Sequence, residues 1–172
     1  GTGVVGYNVQ AVVDAKHHLI VTHEVTNIGS DRAQLAKMGT AAKAAMGKER
    51  LQAVADRGYF SGLEIKACTE ANITPLVPKP LTSNAKAEGR FNKADFIYIA
   101  KDDQYQCPAG ERAIRRFTTV EHGMTLHKYW ASGCPRCPLR RQCTTSSYRR
   151  ITRWEHEAVL EDWIADREGN VR

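Results

Sequence analysis

The chain has 172 residues, 42% hydrophobic and 26% charged, with a formal net charge of +6. These proportions exclude a wholly disordered or collagen-like chain and suit one core, or one core with an appendage. The longest apolar runs, such as Ala11 to Val13 and Leu19 to Val21, fall far short of the roughly 20 residues of a membrane span, and no secretory signal is expected. A cytoplasmic protein without a membrane partner is expected. The chain opens on Gly1 rather than Met and ends in charged, helix-like sequence, which predicts a fragment of a longer protein.

In chain order, Val4 to Asp14 alternates Tyr7, Val9, Ala11 and Val13 with polar neighbours. Leu19 to Thr26 follows after the short polar link Asp14-Ala15-Lys16-His17. This is the pattern of a β-hairpin, with Asp14 read as a turn residue. Leu35, Met38, Ala42 and Ala45 recur at helical spacing within Arg32 to Met46, with Ser30 as N-cap and Gly47 as stop. Leu51 to Ala55 is a short apolar run, expected as a central strand, that ends at Asp56 before Arg57-Gly58. Ser61 to Asn72 predicts a second helix and Ile73 to Val77 another strand. The β-β-α-β-α-β order predicts an α/β sheet with helices packed on it.

Pro78, Pro80, Asn84 and Gly89 then mark a loop. Beyond it, Phe96 to Ile99, Gln104 to Cys107, Ala113 to Val120 and Met124 to Ala131 are strand candidates, so the second region reads as β-rich and inserted. From Trp154 to Asp166 a helical pattern returns, with Trp154, Ala158, Val159, Trp163 and Ile164 on one side.

The positive charge is concentrated. Arg112 to Arg153 carries ten cationic side chains against Glu121 alone, a net +9. Arg115, Arg116, Arg136, Arg140, Arg141, Arg149, Arg150 and Arg153 are among them, with Tyr129, Trp130 and Tyr148 interleaved. Such a block is the footprint of a nucleic-acid partner, with arginines on phosphates and rings near unpaired bases. The alternative is a solvated basic face whose rings belong to the core.

Four of the five cysteines, Cys107, Cys134, Cys137 and Cys143, lie close together in sequence, while Cys68 stands apart on a predicted helix. Cys134-Pro135-Arg136-Cys137 is a two-residue-spaced pair. Thiolates so spaced can supply a tetrahedral structural Zn²⁺ site, and His127 could replace one ligand. Free buried thiols and redox or disulfide chemistry are the alternatives.

Asp56 sets a carboxylate at the tip of a strand beside a flexible turn. Ligands gather there in open α/β sheets, and Mg²⁺ prefers such oxygen donors. Its alternative role is to cap the following turn. Around it stand Gly6-Tyr7-Asn8-Val9-Gln10-Ala11-Val12-Val13-Asp14, His18-Leu19-Ile20-Val21, Asn27-Ile28-Gly29-Ser30-Asp31 and Ala55-Asp56-Arg57-Gly58-Tyr59. Later come Val77-Pro78-Lys79-Pro80, Cys107-Pro108-Ala109-Gly110, Cys134-Pro135-Arg136-Cys137-Pro138-Leu139 and Arg149-Arg150-Ile151-Thr152-Arg153. As an ordered set covering nearly the whole chain, these segments resemble the catalytic domain of bacterial insertion-sequence transposases of the DDE type.

The resemblance implies a ribonuclease H-like mixed sheet with flanking helices and a β-rich, cysteine-containing insertion. It divides the chain into a partial catalytic core over residues 1–77, a basic insertion over 78–150 with a possible zinc site, and a helix over 151–172 returning to the core. It implies a metal-dependent enzyme, using Mg²⁺ or Mn²⁺, that cuts and joins DNA at element ends and works on terminal repeats and target DNA as a homo-oligomer. Asp56 matches the family's second acid. The first acid, on a strand before the Gly6 segment, is missing. The third is expected beyond Arg172, with Glu155 and Glu157 as weak substitutes. One carboxylate cannot clamp two metal ions, so the isolated chain is expected to be inactive. The alternatives are a nuclease of the same fold without strand transfer, and a non-catalytic, zinc-stabilised DNA-binding module.

Overall fold

The computed structural model of the chain describes residues 6–80 and 84–169, so the predicted strand start at Val4 and Val5 lies outside the described residues. The architecture is mixed α/β, in two units: Gly1–Pro80 with Ala158–Arg172, and Leu81–Glu157. Among the described residues no helix is long and apolar enough to cross a membrane.

In the first unit, β1 (Asn8–Val13) and β2 (Ile20–Thr26) form an antiparallel hairpin. Asp14 makes its turn: the carboxylate accepts from the backbone N–H groups of Lys16 and His17 at 3.2 and 2.9 Å, and His18 takes a φ of 58°. The Lys16 N–H, with the His17 side chain and N–H, holds the Asp14 carboxyl below its ordinary range. Ser30 then caps a 3₁₀ turn over Asp31–Ala33, so α1 (Leu35–Ala45) starts later than its apolar spacing predicts. β3 (Leu51–Val54) and β4 (Ile73–Leu76) pair in parallel, with α2 (Gly62–Glu70) between them in sequence. Gly39 of α1 has a packing reason: a Cβ there would stand 3.1 Å from Ile73 Cδ1. Leu35, Cys68, Ile73 and Val77 form the core, and burial pushes the Cys68 thiol up to about 12.

The expectation that β3 is central is corrected. Among the described residues β3 pairs with β4 alone and β1 with β2 alone. A cavity of about 470 Å³ is lined by Gln10 to Val13 of β1 on one side and Leu51 to Ala55 at β3 on the other, with Leu35 and Met38 of α1. Tyr59, just after β3, hydrogen-bonds Gln10 near the start of β1, so those two strand ends lie at the same end of the groove.

In the second unit, β5 (Ile97–Ile99), β6 (Gln104–Gln106), β7 (Arg112–Glu121), β8 (Met124–Trp130) and β9 (Ile151–Trp154) form an antiparallel sheet in sequence order. The short helix α3 (Arg140–Cys143) lies between β8 and β9. Strand β9 is absent from the sequence expectation. Trp154 pairs opposite Leu126 of β8 instead of opening the last helix, and α4 (Glu157–Gly169) starts after it. From Ala158 onward α4 belongs to the first unit, where Trp163 donates its indole N–H to the Pro75 carbonyl at 2.7 Å.

The core of the second unit is Phe96, Tyr105, Ala113, Tyr129, Ala131 and Ile151. At its edge Asp103 accepts from the hydroxyls of Tyr129 (2.7 Å) and Tyr98 (2.9 Å) and pairs with Arg115 at 3.4 Å. Burial works to raise the Asp103 carboxyl, but the two hydroxyls and Arg115 outweigh it, and the group lies below its ordinary 3.8. Removing the buried hydroxyl with Tyr129→Phe should cost about 1–2 kcal/mol in urea unfolding. A carboxyl lowered on folding contributes stability above its unfolded value that fades as pH falls through the folded value. The Asp103→Asn protein should therefore lose stability less steeply than the parent below about pH 4, near the ordinary 3.8.

Candidate functional site

Asn8 and Gln10 are two apart on β1, so both side chains leave the same face of the strand. Gln10, only 3% exposed, donates from Nε2 to Asp31 Oδ1 at 2.6 Å and to Asn8 Oδ1 at 2.9 Å. Asn8 donates to the same Asp31 oxygen at 2.7 Å and to the Ile28 carbonyl at 3.1 Å. The Tyr59 hydroxyl donates to Gln10 Oε1. Side chains from the hairpin, the turn before α1 and the turn after β3 thus form one polar cluster. Burial, then the charges of Asp31 and Asp56, push the Tyr59 phenol up.

Asp56 is exposed and caps its own turn: Oδ1 accepts from the Gly58 N–H at 2.7 Å. A Cβ on Gly58 would stand 2.9 Å from Asp56 Oδ1 and 3.9 Å from Asp31 Oδ2, so the two carboxylates flank a position that only glycine leaves open. The structure therefore gives Asp56 the capping role and adds a neighbour, Asp31. Sequence reasoning missed Asn8, Gln10, Asp31 and Tyr59 as partners, although each stands in a motif segment. The available signal was the pair of amides at alternate positions of one strand.

Glu155 and Glu157 belong to the second unit. Glu157 accepts from the Trp154 N–H at 3.1 Å and pairs with Lys93 at 2.6 Å, and Glu155 stands 3.9 Å from His156.

The expected cysteines come together. Cys107, Cys134, Cys137 and Cys143, all half-buried free thiols, line one cavity of about 30 Å³ beside the second unit's core. His127 lies elsewhere, on β8, bonded to Thr118 at 2.9 Å. Among the described residues no three His, Cys, Asp or Glu side chains stand close enough together to hold a metal ion.

The arginines divide. Arg136, Arg140, Arg141 and Arg150 are exposed. Arg150 and Arg116 lie 5.7 and 5.6 Å from the Trp130 ring centroid, with Phe117 and Tyr148 beside it at 5.8 and 6.2 Å. Phe117 is 45% exposed, so this face carries rings as well as charge. Arg115 is engaged with Asp103, and Arg149 lies over Phe96. Arg153, expected at the DNA face, is corrected to a core cation. It is 7% exposed, stacks 3.7 Å from the Tyr98 centroid and donates to the Tyr105 hydroxyl.

Comparison with known protein families, with curated proteins and with solved structures finds no match. The cluster's own energetics are measurable. Asp31→Ala leaves the buried Gln10 amide and Asn8 without their shared acceptor and should cost about 1–3 kcal/mol of stability. Asp56→Ala removes a turn cap and should cost about 1 kcal/mol. Chemical unfolding of both proteins gives the order; a smaller loss for Asp31→Ala would overturn this account of the network.

Proposed function

We propose that the chain is part of a DDE-type transposase with a ribonuclease H-like core, acting by metal-dependent cleavage and strand transfer at DNA ends. The observation that carries this reading is the open groove lined by β1 and β3, whose lining includes Gln10, the hydrogen-bond partner of Asp31, and Ala55, the residue before Asp56. Two strands that each have a single partner among the described residues and line a common cavity suit a further strand between them, because a paired edge satisfies the backbone N–H and C=O groups left along each. In this reading that strand comes from outside the chain and brings the first acid beside Asp56, while the third arrives on a helix.

Asp56 fits a hard divalent cation such as Mg²⁺ or Mn²⁺ in donor chemistry: it is an exposed carboxylate whose Oδ1 accepts from the Gly58 N–H. Bound there, the ion would stabilise charge on a reacting phosphate. The chain's own residues orient the acid. The Gly58 N–H fixes one oxygen, and the Asn8–Gln10–Asp31–Tyr59 bonds hold the turn against β1.

The second unit supplies the DNA surface. Exposed Arg136, Arg140, Arg141 and Arg150 meet phosphates, and Arg116 with Trp130, Phe117 and Tyr148 offers rings and cations to bases. The competing reading, a DNA-binding module without chemistry, draws on the Gly58 N–H bond to Asp56, which gives that residue a structural job.

Two measurements test the proposal. The 172-residue chain should bind duplex DNA with an affinity that falls steeply with salt, and Arg140→Ala with Arg141→Ala should flatten that slope. The chain extended by its own upstream and downstream coding sequence should cut and join DNA ends in Mg²⁺ or Mn²⁺. Asp56→Asn should cut that activity by roughly 10³-fold or more, as loss of one member of a catalytic unit does. An extended protein that binds DNA and is inactive in either metal would leave the module reading standing. Cleavage without joining would favour a nuclease.

A further inference from the structure

We propose that Cys107, Cys134, Cys137 and Cys143 form a tetrathiolate site for a single Zn²⁺ ion, with the Arg149 guanidinium donating to a coordinated sulfur. The inference is independent of the chemistry at Asp56.

The backbone holds three of the sulfurs on short turns. Cys107 directly follows β6 and opens a turn closed by the Gly110 N–H on the Cys107 carbonyl at 2.8 Å, with Gly110 at a φ of 81°. Cys134 opens the same kind of turn, closed by the Cys137 N–H on its carbonyl at 3.2 Å, and the Cys137 carbonyl accepts from Arg140 at the start of α3. Cys143 is the last residue of α3. Two similar turns and one helical turn therefore present four thiols to one cavity. A close pair on a knuckle turn with two distant ligands is a familiar framework for structural zinc.

Two features of the cavity point to an ion. Its volume of about 30 Å³ is enough for a body the size of a water molecule, yet sulfur and carbon make up most of its lining. Arg149 also lines it, and its Nε–H is buried with no hydrogen-bond partner among the described residues. A buried guanidinium donor is costly to leave unpaired. Neutral thiols are weak acceptors, whereas a zinc-bound thiolate is a strong one, and a tetrathiolate's charge of −2 suits a neighbouring cation.

As the side chains stand, the thiols line the walls rather than close on a point. The ion supplies the convergence, each thiol turning inward about its own χ1. The binding step is balanced as four thiols plus Zn²⁺ giving [Zn(S–Cys)₄]²⁻ and four protons. No electrons move, and the protons leave to solvent.

The purified chain, grown with zinc and kept reduced, should carry about one zinc per molecule. The metal-free chain should take up one Co²⁺ with the visible bands of a tetrahedral site and strong thiolate charge-transfer absorption. Cys134→Ser and Cys143→Ser should each lose the ion, while Cys68→Ser and Asp56→Asn should keep it. Arg149→Met should still bind one zinc, but roughly 10–100-fold more weakly, the usual effect of removing an outer-shell partner. Zinc addition should release about four protons at neutral pH. Three results would overturn the proposal: folded wild-type chain that takes up neither ion, Co²⁺ bound without thiolate charge transfer, or a mass showing pairs of these cysteines oxidised to disulfides under the same reducing conditions. Because the wild-type Co²⁺ spectrum needs no variant, misfolding of a serine substitution leaves the test intact.

Discussion

The first unit depends on where the Gln10 amide sends its hydrogen bonds. A buried primary amide has two donors and an acceptor to satisfy, and burial withholds water from all of them. Gln10 finds them in Asp31, Asn8 and Tyr59, which come from three separate stretches of chain. The hairpin, the turn before α1 and the turn after β3 are thereby fixed to one another, and Asp56 inherits its position from that arrangement. Its own capping bond to Gly58 would keep the turn's shape, but nothing in that local bond places the turn beside β1.

Gly58 lies beside both carboxylates. A side chain there would press on Asp56 Oδ1 at 2.9 Å. The Arg57-Gly58-Tyr59 sequence therefore performs three tasks in three residues: a short turn, a gap between two acids, and a phenol that reaches back to β1. Burial, then the charges of both acids, push the Tyr59 phenol up, away from the neutral range in which it already donates to Gln10.

Much of this was legible in the sequence where periodicity is strong and partners are near. The hairpin, α1, α2 and the four strands β5 to β8 follow from alternation, helical spacing and turn residues. Three features were hidden for different physical reasons. Strand β9 is short and follows Arg149-Arg150, so its charge reads as surface and its Trp154 as the start of a helix; pairing with β8 decides otherwise. Arg153 reads as a phosphate contact, yet the Tyr98 ring and the Tyr105 hydroxyl, both distant in sequence, let a guanidinium be buried. The Asp31 network joins residues about twenty to fifty positions apart, and no spacing rule encodes that. The apolar run of β3 reads as a central strand, yet among the described residues it pairs with β4 alone, since such a run does not encode whether a second neighbour is at hand.

Charge divides between the units in a way that bears on both sites. The second unit, Leu81–Glu157, holds 14 Lys and Arg against 8 Asp and Glu, a net +6, whereas the rest of the chain holds 11 of each. The whole excess thus lies with the arginine and aromatic face. A polyanion is attracted to that unit at long range, while Asp31 and Asp56 repel phosphate locally unless a cation stands between. A neutral unit does not cancel that repulsion through its net charge. In the proposed enzyme the divalent ion thus has an electrostatic task before any bond is broken: to let a phosphate approach carboxylates that would otherwise exclude it.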